Sequence, residues 1–266
     1  MTTGVLIFAF NNEHLDYLAM ANWSAKNIRR HLGLPVCVVT NSLIPDNYHF
    51  EQRIYAEPEG RNNRRFWDLP ESVTWFNGNR VDAYELSPWS RTLVLDADYV
   101  VASNQLKSLL TLDQDFLAHR TAYDITGLSD FTDLNYFGKC NMPMWWATVM
   151  MFRRSTQSKL IFDHMQMIRA NWTHYKNLIG FTKATYRNDF ALSIALNTVN
   201  GHTLDHPEIP WKLASLTHHH ELTQVDVDTY RVNFKSKHEK PQWITVTGDF
   251  HAMGKRHLGD IIASNS

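Results

Sequence analysis

Two cysteines in 266 residues leave no room for a disulfide framework. Cys37 stands in the apolar run Pro35 to Val39 and reads as a core thiol, which fits a reducing compartment. Glycine is scarce where a phosphate loop would need it. Residues 1–35 hold only Gly4 and Gly33, so no glycine-rich loop follows the first apolar run. No apolar stretch approaches the ~20 residues needed to cross a bilayer, and MTTGVLIFAFNNEHLDY carries no basic leader. The expected location is therefore the cytoplasm, or a host cytoplasm if the chain is viral, with no membrane partner. Charge of one sign is also missing: 26 basic against 27 acidic residues leave a net −1. That excludes a broad nucleic-acid face but not local basic patches. There is no internal repeat and no low-complexity linker.

What is present is an ordinary globular balance, 44% apolar and 20% charged, over a length that suits one large α/β unit. VLIFAF (5–10) is a continuous apolar run and reads as a buried parallel strand. Residues 15–32 repeat apolar positions at helical spacing and stop at Gly33; PVCVVT (35–40) is a second buried strand. This β-α-β opening predicts a parallel sheet. A helix is expected over 79–87, and a third strand over 92–101 with two acids embedded in it. Residues 112–145 read as irregular, and 146–152 (WATVMMF) as a strand. Ser155 is placed to cap a helix over 156–176 with Leu160, Met165, Ile168 and Trp172 on its apolar face. Asn188 and Asp189 are placed to cap a helix over 188–199. Antiparallel strands are expected within 222–234, and a last strand at 243–247.

The chemistry is concentrated in RTLVLDADYVVAS. Alternation puts Asp96 and Asp98 on one side of the chain. Two unpaired carboxylates there would cost several kcal/mol and would repel each other. A divalent cation removes both costs, and hard oxygen ligands suit Mg²⁺ or Mn²⁺ shared with substrate phosphates. In an open parallel sheet, ligands bind beyond the carboxyl ends of the strands. The alternative is that one acid caps a turn while the other pairs with an arginine.

RVDAYELSPWSRTLVLDADYVV resembles the D-x-D region of the retaining glycosyltransferase family that includes glycogenin and bacterial galactosyltransferases. By that resemblance Arg80 contacts the donor pyrophosphate or sugar, Asp96 lies near the donor ribose and the metal, and Asp98 is a direct metal ligand. WITVTGDFHAMGKRH resembles the family's terminal H-x-x-G-x-x-K segment. There His251 would be the third ligand, favouring Mn²⁺ over Mg²⁺, and Gly254 would let the backbone approach the phosphates. His257 stands where the family has a phosphate-binding Lys, so Lys255 or Arg256 would supply that charge. RNDFALSI resembles the segment whose Asp contacts the donor sugar, here Asp189, with Phe190 in place of the family's Gln. Trp146, Ala147 and Thr148 replace a sugar-contacting turn. FAFNNEHLDY resembles the segment that holds the uracil and ribose, with Ala9, Asn11 and Tyr17 in those places.

The resemblance implies a GT-A fold: a three-layer α/β/α arrangement with a mainly parallel central sheet and a small antiparallel element. It implies one domain over 1–266, with 1–101 as the nucleotide half and 102–266 as the sugar and acceptor half. The implied reaction moves a sugar from a nucleotide-diphospho-sugar, a UDP-sugar, to a hydroxyl with retention, with Asp189 and Arg80 as the catalytic residues. The acceptor could be a glycan, a protein or a modified base in DNA. The compact chain also resembles glycosyltransferase-like proteins of tailed phages, some of which act on hydroxymethylated pyrimidines. Basic clusters at Arg61, Arg64 and Arg65, at Arg153 and Arg154, and at Lys235, Lys237 and Lys240 would then grip phosphates. Trp67, Trp75 or Trp89 would stack on a flipped base. A nucleotidyltransferase acting on a sugar phosphate, or a non-catalytic nucleotide-sugar-binding domain, would use the same acids differently.

Overall fold

The computed structural model describes residues 2–59, 61–65, 72–76, 78–203, 205–217, 220–234 and 240–264. The chain opens with β1 (Thr3–Ala9), α1 (Tyr17–Leu32), β2 (Val36–Thr40) and β3 (Gln52–Tyr55), then the hairpin β4 (Arg61–Arg65) and β5 (Ser72–Phe76). A 3₁₀ turn at Asn79–Asp82 runs into the single-turn helix α2 (Ala83–Leu86). Next come β6 (Arg91–Asp96), β7 (Tyr99–Val100), β8 (Phe116–His119), β9 (Ala122–Asp124), β10 (Tyr136–Phe137), β11 (Met142–Pro143) and β12 (Trp146–Arg153). Helices α3 (Thr156–Ala170), α4 (Trp172–Leu178) and α5 (Asn188–Val199) follow. The chain ends with β13 (Leu213–Leu216), β14 (Glu221–Asp226), β15 (Thr229–Phe234), β16 (Gln242–Val246), β17 (Phe250–Ala252) and α6 (Lys255–Ser264).

The central sheet has the order β3-β2-β1-β6-β12-β8. Strands β3, β2, β1 and β6 are parallel, and β12 runs antiparallel between β6 and β8. Strands β1 and β2 are apolar almost throughout because both faces are covered. One face buries Val5, Ile7, Val38, Leu93 and Leu95 together with Trp23 and Ile28 of α1 and Leu258 of α6. The other buries Leu6, Val39, Val94 and Met150 with Ile161 and Phe162 of α3 and Leu192 of α5. The expected mixed α/β architecture, with a mainly parallel sheet between helical layers and smaller antiparallel elements, is what the chain adopts. No helix among the described residues is long and apolar enough to cross a membrane.

Several local expectations differ from the structure. Helix α1 begins at Tyr17 because the Asp16 carboxylate accepts from the Ala19 N–H, and it ends at left-handed Gly33. The helix expected at 79–87 is a 3₁₀ turn plus one α-turn. The helix expected over 156–176 breaks at Asn171 into α3 and α4. Met165 and Ile168 are buried, but Leu160 is 43% exposed. Residues 112–145 are not wholly irregular: they contain β8, a fully buried strand of four residues, too short to show a period. Strand β17 and helix α6 follow the strand expected to be last.

The third strand is in fact two. Strand β6 ends at Asp96, a turn carries Ala97 and Asp98, and β7 leaves for a second sheet of order β7-β17-β13-β9. A three-stranded antiparallel sheet, β14-β15-β16, packs Leu222, Tyr230 and Val232 into the core cluster shared with α1.

Of the four histidines buried among the described residues, two are strongly shifted in pKa. His119 donates from Nδ1 to the Trp211 carbonyl at 3.0 Å, and His206 sits edge-on to Trp145 with no hydrogen-bond partner at either ring nitrogen. Burial pushes both imidazoles down from 6.5 to about 4. Both are therefore neutral when folded. Their contribution to stability is complete above the unfolded value of 6.5 and is lost as pH falls from there towards 4. At about pH 5 each should cost roughly 2 kcal/mol. Urea midpoints compared at neutral and mildly acid pH check this, and His206→Leu should remove about half of the slope.

Candidate active site

The β1–β6 pairing places Asp96 beside Phe8, at the carboxyl edge of the parallel strands. Asp98 follows in the turn, and its carbonyl accepts from the Ala252 N–H at 3.0 Å. Strand β17 pairs antiparallel with β7, His251 opposite Tyr99. That pairing brings His251 to the aspartates across some 150 residues of chain. One ligand atom each from Asp96, Asp98 and His251 lie within 4.8 Å of one another. His251 Nε2 stands 3.4 Å from Asp98 Oδ2, and its Nδ1 is buried without a hydrogen-bond partner.

The aspartates are not unpaired, as the sequence argument assumed. Asp96 is ion-paired with Arg80, and Asp98 with Lys255. The arginine-pairing alternative and the metal-site geometry therefore coexist. Burial alone would raise the Asp98 carboxyl, but Lys255 and then His251 hold it well below the usual carboxylate range. Burial alone would weaken the Arg80 and Lys255 charges, but Asp96 and Asp98 respectively push both above their ordinary values.

Arg80 leaves the 3₁₀ turn at Asn79–Asp82 and does two things. Besides meeting Asp96 it donates to the Ala147 carbonyl at 2.9 Å. The N–H of the same residue donates to Asp189 Oδ1 at 2.9 Å. Ala147 lies in an irregularity of β12, where the β8 register shifts between Trp146 and Met150. Side chains of Arg80 and Asp189 thus satisfy backbone groups at a place where the ladder is interrupted. Asp189 Oδ2 accepts from Arg187 at 2.6 Å. Burial would raise the Asp189 carboxyl, but Arg187, the Ala147 N–H and Arg80 together lower it, so it is ionised at neutral pH. Asp189 is in the first turn of α5 but is not its cap: the cap position is Arg187, which makes no side-chain capping bond. Arg187 itself escaped the sequence reading; its charge two residues from Asp189 was the available signal.

The other residues expected to contact the donor have the following local settings. Ala9 ends β1 and is fully buried. Asn11 Oδ1 accepts from the Leu18 N–H at 2.9 Å, and its Nδ2 donates to Asp16 at 3.0 Å, so this side chain builds the loop into α1. Tyr17 starts α1, and Lys255 Nζ is 5.8 Å from its ring centroid. Thr148 is buried in β12. Gly254 is buried immediately before α6, and its carbonyl accepts from the Leu258 N–H at 3.4 Å.

In the basic clusters, Arg153 and Arg154 have other duties, and Lys240 is exposed. Arg153 pairs with Asp113 at 2.7 Å and with Asp115. Arg154 donates to the Ser87 carbonyl at 2.6 Å and lies over the Tyr84 ring. The side chains of Arg61, Arg64 and Arg65, together with Trp67, Lys235 and Lys237, lie outside the described residues. Trp75 and Trp89 are half-buried.

No protein-family model and no curated protein matches the chain. Among solved structures it is similar to the glycosyltransferase GlyE of Streptococcus pneumoniae TIGR4, at TM-score 0.44 and 13% identity over 79% of this chain and 46% of that one. It is similar to the galactosyltransferase LgtC, solved with donor and acceptor sugar analogues, at 0.47 and 14% over 73% and 69%. It is also similar to the bifunctional IspDF of Campylobacter jejuni, at 0.40 and 11% over 80% and 50%. The chain thus spans about half the length of GlyE and of IspDF. At these values the alignments carry no argument about function, which rests on the site.

Proposed function

We propose that the chain is a glycosyltransferase. It takes a nucleotide-diphospho-sugar, a UDP-sugar, and transfers the sugar to a hydroxyl acceptor with retention of configuration. The observation that carries this reading is the convergence of Asp96, Asp98 and His251 at the carboxyl edge of the sheet, with Arg80 and Lys255 beside them. Two carboxylates and an imidazole fit Mn²⁺, or Mg²⁺ with more water in its shell. A partnerless His251 Nδ1 leaves room for the second hydrogen bond that metal-bound histidines make. When bound, the ion would neutralise charge on the leaving diphosphate.

The chain's own residues do the rest. Arg80 presents a guanidinium fixed by Asp96 and the Ala147 carbonyl, so its charge needs little reorganisation when the diphosphate departs. Lys255 adds a second cation from the start of α6. Asp189 is an ionised, mostly buried carboxylate held by Arg187 and the Ala147 peptide, placed to orient the donor sugar. Ala9, Asn11 and Tyr17 border the nucleotide side; Thr148 and Gly254 border the sugar and phosphate side. The acceptor is a hydroxyl of a glycan, a protein or a modified base in DNA; of the basic residues that would grip DNA, Arg153 and Arg154 are engaged within the chain.

A panel of nucleotide sugars assayed with Mn²⁺ tests the proposal. The expected result is metal-dependent release of a nucleoside diphosphate from one donor. Release of pyrophosphate from a nucleoside triphosphate would instead establish a nucleotidyltransferase. Thermal stabilisation by a donor without turnover would leave only a non-catalytic binding domain, and inertness with no thermal shift would overturn the reading.

A further inference from the structure

Lys255 and the third metal ligand meet on one atom. Lys255 Nζ is paired with Asp98 Oδ2, and His251 Nε2 stands 3.4 Å from that same oxygen. The pair is sequestered, with side-chain exposures of 12% for Lys255 and 5% for Asp98. An ammonium in contact with Asp98 Oδ2 and a divalent ion bound through Asp98 compete electrostatically for the same carboxylate. Arg80 is also held by the Ala147 carbonyl, away from Asp96. Lys255 is the first residue of α6 and carries its charge on a flexible four-carbon stem. The Tyr17 ring, which the reading above assigns to the nucleotide side, is 5.8 Å from Nζ.

We propose that Lys255 is a built-in cation that holds Asp98 until a divalent ion displaces it, and that the donor's diphosphate then receives the released ammonium. Lys255 thereby couples the two ligands. This rests on the nucleotide-sugar reading above. A buried ammonium that leaves its carboxylate needs another anion. Metal alone must break the Lys255–Asp98 pair without supplying one, so it binds weakly. A nucleoside diphosphate supplies the anion, so it strengthens metal binding. By linkage the metal strengthens nucleotide binding by the same factor.

The test measures Mn²⁺ affinity of the full chain, from the electron paramagnetic resonance signal of free Mn²⁺, with and without UDP, after correction for Mn²⁺–UDP association measured without protein. The variants are Lys255→Met, which keeps the stem without the charge, and Lys255→Arg, which keeps a cation. Without UDP, Lys255→Met should bind Mn²⁺ about tenfold more tightly than wild type, and Lys255→Arg should not. UDP should tighten Mn²⁺ binding in both proteins, because its diphosphate also meets the ion, but about tenfold more in wild type than in Lys255→Met. Equal Mn²⁺ affinity without UDP in wild type and Lys255→Met, or an unchanged UDP effect, overturns the coupling while leaving the metal site in place. Absence of Mn²⁺ binding in all three proteins, with or without UDP, removes the metal site and the coupling with it. Thermal melting with and without Mn²⁺ guards against misfolding: Lys255→Met should show the larger upward shift on adding Mn²⁺.

Discussion

Asp98→Asn is expected to lower metal-dependent donor turnover by about 10²–10³-fold, the range for removing one preorganised electrostatic group. It should also abolish Mn²⁺ binding. The same substitution has a structural cost. Asp98 is the buried partner of Lys255 and faces His251, so the amide leaves a cation without its counter-charge. Removing one member of a buried pair costs about 3–5 kcal/mol, and release of the Lys255 proton reduces that figure. Asp98→Glu separates the two effects. It keeps a negative charge for Lys255 but moves the ligand oxygens by one methylene. Stability should remain close to wild type while turnover falls. Urea midpoints and Mn²⁺ titrations on both variants are the measurements. Wild-type-like turnover in Asp98→Asn would dismiss the metal assignment.

Arg80→Ala should be at least as damaging, for a different reason. Arg80 is the shared cation of Asp96, the Ala147 carbonyl and, through space, Asp189 and Asp98. Its removal leaves several mostly buried acids short of positive charge and one carbonyl short of a donor. We expect a loss of about 3–5 kcal/mol in stability and about 10²–10³-fold in donor turnover. Mn²⁺ binding should survive, because the guanidinium is not a ligand and its loss makes the carboxylates more attractive to a cation. Arg80→Lys should restore part of the stability but little of the turnover, since one ammonium on a flexible stem does not reproduce the fixed fork that reaches both Asp96 and Ala147. If Arg80→Ala lost Mn²⁺ affinity as fully as Asp98→Asn, the division of labour between these residues would be wrong.

The parts of this protein that are legible in its sequence are the locally determined ones. VLIFAF and PVCVVT are apolar almost throughout because both faces of their strands are covered, so composition alone marks them as interior strands. TLVLD ends in a charge at the sheet's carboxyl edge, which is why the position of Asp96 is legible in the sequence. Arg80 lies only 16 residues upstream of it.

The tertiary structure decided the partnerships. Alternation along a strand says which face a side chain takes, not what it meets there. Hence Asp98 could be read as an unpaired acid in a strand, whereas it sits in a turn and is neutralised by Lys255 from 157 residues away. Strands β8, β9 and β17 are three or four residues long, less than is needed to show a period, yet β17 is what delivers His251. The clamp of Arg80 and Asp189 on the Ala147 peptide is equally invisible in sequence, because a backbone group has no letter of its own. Residue type and local pattern determined that acids gather at a strand end. Only the folding of distant segments determined which cations neutralise them, because that depends on long-range pairing that no local pattern encodes.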